Sequence, residues 1–547
     1  MSPISQAFAP AAPSRSPSAP GPWRGVALAI SIVAALRLVY VIVRYSAYDV
    51  AKYFLADDSF YYFQVARKIA NGLGSTFDGV HVTNGYHPLW MLIATAVFRL
   101  VPGVNAPLVV LYALQIAMIV GSAWVLYLAL RELDDLAAAF TAALFLAAHT
   151  TRSILFIGME SAPAFLLASC LLLLAMRWGR RFFLLESGRD ALLLFTLLLL
   201  LSLARLEAGL VAAVWLVMAL AMDAWHGGRS RGRILLVALG LAVAACAYVA
   251  MNLALVGVPV PISGLVKAGG GIVWARGWYV LSLHWIALAG LLALPGSAPG
   301  AWVVNGLVAL LVTIALVLLL RELGRRDPVR LLGLAPLLVF AAMFSTISSF
   351  ITRGSFGWYL WPALFVGVLA TFAAVRLWLR YGAPARLGAA VVVAGALFTT
   401  AAGWVAVVRT RTLADWGPLP GIAMDSTLRY IREEIPAADR MGAISSGIFT
   451  YFSGRDIENL EGLANGVEFY RARLDPKTYG EYLKKNRIRW VVFYTAYSGQ
   501  RAKVLGDFEQ ACGVDSVVDL DTHYRLGLRE MTPQLSDPNV VVARLTN

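Results

Sequence analysis

Apolar residues crowd the first 408 positions in long runs, near 24–45, 88–103, 105–130, 136–150, 160–176, 190–204, 207–225, 233–256, 277–294, 300–320, 329–347, 358–376 and 386–408. A helix of roughly 20 apolar residues reaches across the hydrocarbon of a bilayer, so the pattern predicts an α-helical polytopic membrane protein. Between the first two runs the pattern changes. Phe60, Tyr61, Phe63, Val65, Ala66, Ile69 and Ala70 recur at helical spacing with Gln64, Arg67, Lys68 and Asn71 opposite them, which predicts a helix lying in the membrane interface. Gly72 and Gly74 end it, and an Asn-Gly and His-Pro turn segment follows. Beyond the last run, mixed polar and apolar sequence predicts helices at 425–435 and 477–485 and strands at 441–445 and 489–494, an α/β domain over 411–547. Residues 1–22, rich in Pro, Ser and Ala, read as a disordered cytoplasmic tail.

Composition agrees: of 547 residues, 59% are hydrophobic and only 14% charged. The net charge of +14 does not point to nucleic acid, because much of the arginine sits in short loops between apolar runs, where it anchors the cytoplasmic face. Cys170, Cys246 and Cys512 are scattered and support neither a disulfide framework nor a thiolate metal site. The first run contains Arg37 and lacks a small-residue cleavage site, so it reads as an uncleaved span.

Charge also arbitrates which runs cross. With the N-terminus inside, the basic loops 177–181 and 226–233 fall inside only if run 88–103 stays in the interface; loop 321–326 makes the same demand of run 277–294. About eleven spans plus two interfacial segments result, with thirteen spans as the alternative. The transmembrane domain covers 23–410, with a first outer loop at 46–104 and a middle outer loop at 257–299. The polar stretches 152–161, 205–207, 259–271 and 348–361 all gather on the outer face, where 411–547 also lies.

That face carries the chemistry. Adjacent carboxylates at a membrane border, Asp57 and Asp58, are costly unless they meet substrate, metal or a buried partner. Either suits a general base. The ordinary alternative is that Asp57 caps the helix starting at Ser59 and His87 is a satisfied loop histidine. Asn84 and His87 are expected to turn back toward the acids, with Tyr86 between them. Lys267 and Arg353 are outer-face cations able to hold a departing phosphate. Glu160 and Glu207 are further acids for sugar hydroxyls or metal, although Glu207 can equally pair with Arg205. Trp358, Tyr359 and Trp361 form either an interfacial belt or a stacking platform for carbohydrate. The chain holds no phosphate-binding Gly-x-x-x-x-Gly-Lys-Ser/Thr loop, no Gly-x-Gly-x-x-Gly after a strand and no His-Glu-x-x-His helix.

The Asp57-Asp58 loop, the interfacial helix, the TNGYHPLW segment at 83–90, Gly-Met-Glu at 158–160, and Arg353 followed by Trp358-Tyr359 together resemble the GT-C superfamily of polyprenyl-phosphate-sugar-dependent membrane glycosyltransferases. The likeness covers about 24–410 and is to the bacterial branch of lipid A aminoarabinose transferases, protein O-mannosyltransferases and envelope arabinofuranosyltransferases. YFSGRDIENLEGLANG at 451–466 is similar to the periplasmic domain of related members. The resemblance implies an inverting enzyme of the bacterial inner membrane. It would move one sugar from a polyprenyl-phosphate donor to an envelope glycan, lipid or protein on the periplasmic side. It further implies Asp57 as base, Asp58 orienting it or contacting donor or a divalent cation, Lys267 and Arg353 on the phosphate, and Glu160 nearby. The Trp-Trp-Asp-Tyr-Gly signature of oligosaccharyltransferases is absent, which disfavours transfer of a preassembled oligosaccharide to asparagine. Metal dependence, sugar and acceptor stay open. A lipid-linked sugar flippase or transporter is the rival reading; it predicts charges spread through the membrane depth and internal repeats. A non-catalytic envelope scaffold would leave the cluster of Asp57, Asp58, His87 and Lys267 unexplained.

Overall fold

The apolar runs fold as helices. The computed structural model describes residues 22–268, 274–292, 299–351, 356–381, scattered positions between 394 and 405, 421–496, 498–532 and 535–546. The predicted tail, the run 386–408 and Arg353 lie outside the described residues, apart from those scattered positions. In chain order come α1 (Pro22–Arg44), α2 (Ala47–Phe54), α3 (Asp57–Ala70), α4 (Pro88–Leu100), α5 (Ala106–Leu130), α6 (Asp135–Ala147), α7 (His149–Leu155) and α8 (Ser161–Trp178). After them come α9 (Gly188–Ala204), α10 (Gly209–Trp225), α11 (Arg231–Val256), α12 (Ile262–Ala268), α13 (Trp274–Ala289), α14 (Pro299–Arg326), α15 (Pro328–Ile351) and α16 (Trp361–Tyr381).

By length and composition, eight of these can cross a membrane: α1, α5, α8, α10 together with the helical turn Leu206–Ala208 that leads into it, α11, α14, α15 and α16. The pair α6 and α7 makes a ninth if taken as one span, bent by 63° at its break. Helix α9 is 17 residues long, and most of run 386–408, also expected to cross, lies outside the described residues. The two runs expected not to cross are short helices, 13 residues in α4 and 16 in α13.

The C-terminal region builds a five-stranded sheet in the order β2-β1-β3-β5-β4. Its elements are α17 (Gly421–Glu433), β1 (Arg440–Ala443), α18 (Gly447–Ser453), β2 (Ile457–Asn459), α19 (Val467–Ala472), α20 (Pro476–Lys485), β3 (Ile488–Thr495), α21 (Gln500–Cys512), β4 (Val514–Asp519) and β5 (Asn539–Leu545). Strands β2, β1 and β3 run parallel, and β5 lies antiparallel between β3 and β4. The central strands carry apolar residues on both faces because helices cover each side. Val492 and Val542 pack with Leu428 and Ile431 of α17, while Val491 and Phe493 pack with Leu483 and Phe508 on the other face.

Helix α3 buries more of its surface than its amphipathic pattern implies. Gln64, expected on its polar side, is fully buried and donates to the Phe77 carbonyl at 3.3 Å. Helix α18 covers α3 with an aromatic cluster: Phe60 lies 5.4 Å from Tyr451 and 5.5 Å from Phe452, ring centre to ring centre. Each such pair contributes about 0.5–1.5 kcal/mol beyond its buried area. Lys52 to Asp425 at 2.9 Å and Lys68 to Asp456 at 2.6 Å fasten the first loop to the C-terminal region at two further points.

Candidate active site

The two acids of α3 part company. Ala56, not Asp57, occupies the N-cap position, so Asp57 does not cap its own helix from there. Its carboxylate instead accepts the backbone N–H of Gly447 at 3.0 Å and of Ile448 at 2.8 Å, the first free amides of α18. Position 447 has to be glycine, since a Cβ there would stand 2.2 Å from the Asp57 carbonyl oxygen. Burial pushes the Asp57 carboxyl up to about 7 against the pull of the two amides, with Glu461 and Asp58 adding to the rise.

Asp58 faces elsewhere. Its Oδ2 lies 3.3 Å from Lys267 Nζ, which α12 delivers after the Pro259 and Pro261 bend. The ammonium sits within a ring of aromatics, 4.4 Å from the centre of Phe356, 5.4 Å from Trp358 and 5.5 Å from Tyr359, a setting that favours a cation. Burial raises the Asp58 carboxyl above its ordinary value, and the Lys267 charge opposes that rise without cancelling it. For Lys267 burial works against the charge, yet Tyr359, Asp58 and Glu160 together hold its pKa above the usual lysine value.

Behind this pair stands a second charged group. Arg205 is fully buried; it donates to Glu160 Oε1 at 2.5 Å and, through Nε, to Glu207 Oε1 at 2.7 Å, with its guanidinium 5.0 Å from the Tyr359 ring centre. The Arg205–Glu207 pairing foreseen in the sequence therefore exists, and Glu160 joins it. His87 Nδ1 accepts the Leu206 N–H at 3.2 Å, which leaves the proton of a neutral ring on Nε2, 3.7 Å from Glu160 Oε1. Burial lowers the His87 pKa.

Two cavities meet at Asp58 and Lys267. One, of about 380 Å³, takes in Asp58, His87, Glu160, Glu207, Lys267 and Tyr359 and is walled on one side by Phe340, Phe344, Ile347 and Ile351 of α15. The other, of about 500 Å³, opens between the helices and the C-terminal sheet region; Asp57, Ser445, Glu461, Arg473 and Tyr494 line it together with Asp58 and Lys267. Asp58 and Lys267 thus stand in the common wall.

Six of the sequence candidates share the first cavity, and Asp57 borders the second. Asn84 and Tyr86 stand outside both. Asn84, expected to turn toward the acids, instead grips the start of α12: its Oδ1 accepts the Ile262 N–H at 2.9 Å and its Nδ2 donates to the Val260 carbonyl at 3.2 Å. Tyr86 shares a 2.7 Å hydrogen bond with Ser75. Glu461 escaped the sequence reading. It accepts Tyr61 Oη at 2.7 Å and Ser445 Oγ at 3.0 Å, and burial and Asp58 raise its pKa; within 451–466 nothing set it apart from Glu458. Among the described residues Asp58 belongs to no group of three His, Cys, Asp or Glu side chains close enough to hold one ion.

No protein-family model matches this chain, and no curated protein matches it by sequence. Solved structures do match, and the likeness is one of fold. Nearly end to end, the chain is similar to ArnT from Cupriavidus metallidurans. The apo state aligns with a TM-score of 0.56 at 13% identity over 95% of this chain and 98% of that one. The same protein bound to undecaprenyl phosphate gives 0.53 at 13%, over 96% and 98%. The archaeal oligosaccharyltransferase AglB from Archaeoglobus fulgidus, in complex with an inhibitory peptide and a dolichol-phosphate, gives 0.52 at 13%, over 89% of this chain and 71% of that one.

Proposed function

We propose that this chain is an inverting glycosyltransferase of a bacterial inner membrane, moving one monosaccharide from a polyprenyl-phosphate donor to a cell-envelope acceptor on the periplasmic side. The observation that carries the proposal is the Asp58–Lys267 pair in the wall shared by two cavities, one of them sided by the apolar residues of α15. A lipid-phosphate donor needs a cation at its phosphate and apolar surface for the start of its tail; Lys267 and the α15 side chains supply them. An acceptor hydroxyl needs a base, and Asp58 reaches the cavity beside the sheet region, which this reading assigns to the acceptor.

The acceptor oxygen attacks the anomeric carbon from the side opposite the phosphate. The bond from that carbon to the phosphate oxygen breaks, its electron pair leaves with the polyprenyl phosphate, and Asp58 takes the hydroxyl proton. Lys267 offsets the charge gathering on the phosphate, with Arg353 as the second cation of the proposal. Inversion follows from a single displacement without a dedicated nucleophile. The base moves here from Asp57 to Asp58 because both Asp57 oxygens already hold amides of α18. Asp57 is then a positioning residue. Support for the donor class comes from the similar folds, whose solved complexes include undecaprenyl phosphate and a dolichol-phosphate.

The test uses the full chain in detergent, a panel of radiolabelled polyprenyl-phosphate monosaccharides and crude envelope acceptor. Transfer by the parent that collapses in Asp58→Asn and survives in Asp57→Asn supports the assignment; the reverse pattern returns the base to Asp57. Binding of lipid-linked sugar without transfer from any donor would sink the enzyme reading in favour of a flippase.

A further inference from the structure

Away from both cavities, three side chains from distant parts of the chain converge. Asp78 and His81 come from the first outer loop and Glu458 from β2, and one ligand atom of each lies within 4.8 Å of the others. The loop is wound for this arrangement: Asp78 Oδ1 accepts the N–H groups of Val80 at 3.0 Å and His81 at 2.8 Å, and Oδ2 meets His81 Nδ1 at 2.6 Å. Glu458 is 1% exposed. Its Oε1 is taken up by Tyr482 Oη at 2.5 Å and Asn465 Nδ2 at 3.2 Å, whereas its Oε2 is buried with no hydrogen-bond partner. Arg440 stands 3.6 Å from both Asp78 Oδ2 and Glu458 Oε2. That is too long for a hydrogen bond, so Arg440 offsets charge without satisfying the oxygen. A buried carboxylate oxygen left bare is costly, and a cation bound by all three residues would remove the cost.

We infer that Asp78, His81 and Glu458 form a divalent-metal site, with zinc the fitting ion. An imidazole nitrogen with two carboxylate oxygens is a donor set zinc accepts, at about 2.0–2.2 Å and with a water completing the tetrahedron. The two carboxylates balance the ion's charge with His81 neutral, as ligation requires. Arg440 is partly exposed and yields its place toward solvent as the ion enters. The site is structural. It staples the first outer loop to the edge strand of the sheet, six residues upstream of the His87 that borders the donor cavity. It is independent of the glycosyltransferase reading.

The test is zinc binding by the full chain in detergent, stripped with chelator, exchanged into metal-free buffer and given zinc chloride alone. Metal per chain is read by mass spectrometry and thermal unfolding is followed with and without the ion. Expected are about one zinc per chain and a higher unfolding midpoint with zinc. In Glu458→Gln and His81→Ala the affinity falls at least about tenfold, in keeping with the weight of groups around a bound metal, and the shift in midpoint is lost. Arg440→Ala removes a competing charge but no ligand, so it binds zinc more tightly; this arm stays readable if the ligand variants fail to fold. Absence of uptake by the parent, uptake unchanged in both ligand variants, or weaker binding by Arg440→Ala overturns the inference. In those cases a proton on His81 joins the two acids.

Discussion

Asp58 and Lys267 share one contact of 3.3 Å but are given separable duties, one toward a proton and one toward a phosphate. General-base catalysis contributes about 10²–10⁴-fold, so Asp58→Asn should lower kcat by that order. Loss of a preorganised charge at a leaving group costs about 10²–10³-fold, the range expected for Lys267→Ala. The pH profile separates the two. Burial raises the Asp58 pKa, so the carboxylate is protonated, and useless as a base, below a value higher than the ~3.9 of a free aspartate. Transfer should therefore fall as pH is lowered through a limb displaced upward from pH ~3.9. Lys267 holds the Asp58 pKa down, so the residual activity of Lys267→Ala should show its acid limb at still higher pH. A limb that stays put in kcat/KM against pH would remove Asp58 from the role of base.

Among the elements, the short helix α18 does the most to shape the site, because it fixes α3 from outside the helical bundle. Gly447→Ala would drive a methyl group against the Asp57 carbonyl, and overpacking of this kind costs about 1–3 kcal/mol. The expected results are a lower thermal midpoint and a C-terminal region released faster by limited proteolysis. Asp57→Asn keeps one acceptor oxygen and loses a charge-assisted hydrogen bond, a cost of about 1.5–3 kcal/mol; it should weaken the same junction more than it slows chemistry. These elements also mark where the sequence was legible. Helix α3, helix α20 and strand β3 follow from periodicity, and Lys267, Glu160 and His87 from their place beside polar turns. Which of two adjacent aspartates meets Lys267 did not follow, since the other is held by α18, whose pairing with Asp57 spans 390 positions. Gln64 is polar by type yet buried, its amide spent on the Phe77 carbonyl. Asn84 sits in the right loop, but its hydrogen bonds go to α12, a choice that only three-dimensional proximity reveals.

For the molecule as a whole, the distribution of arginine predicts that the first loop and the C-terminal region share a side opposite the loop between α10 and α11. With Cys170, Cys246 and Cys512 replaced, a membrane-impermeant maleimide should label Glu530→Cys in intact spheroplasts and reach Arg229→Cys only after the membrane is opened. The opposite labelling would invert the topology and move the proposed acceptor to the cytoplasm. The long reach from Asp57 to Gly447 has a consequence for how the protein is made. Ribosomes add about 5–20 residues per second, so α3 emerges on the order of tens of seconds before its cover exists, with its aromatic face bare. A chain that stops short of α18 would thus lack the two amides that hold the Asp57 carboxylate, and its first outer loop stays half-assembled until Gly447 and Ile448 are made.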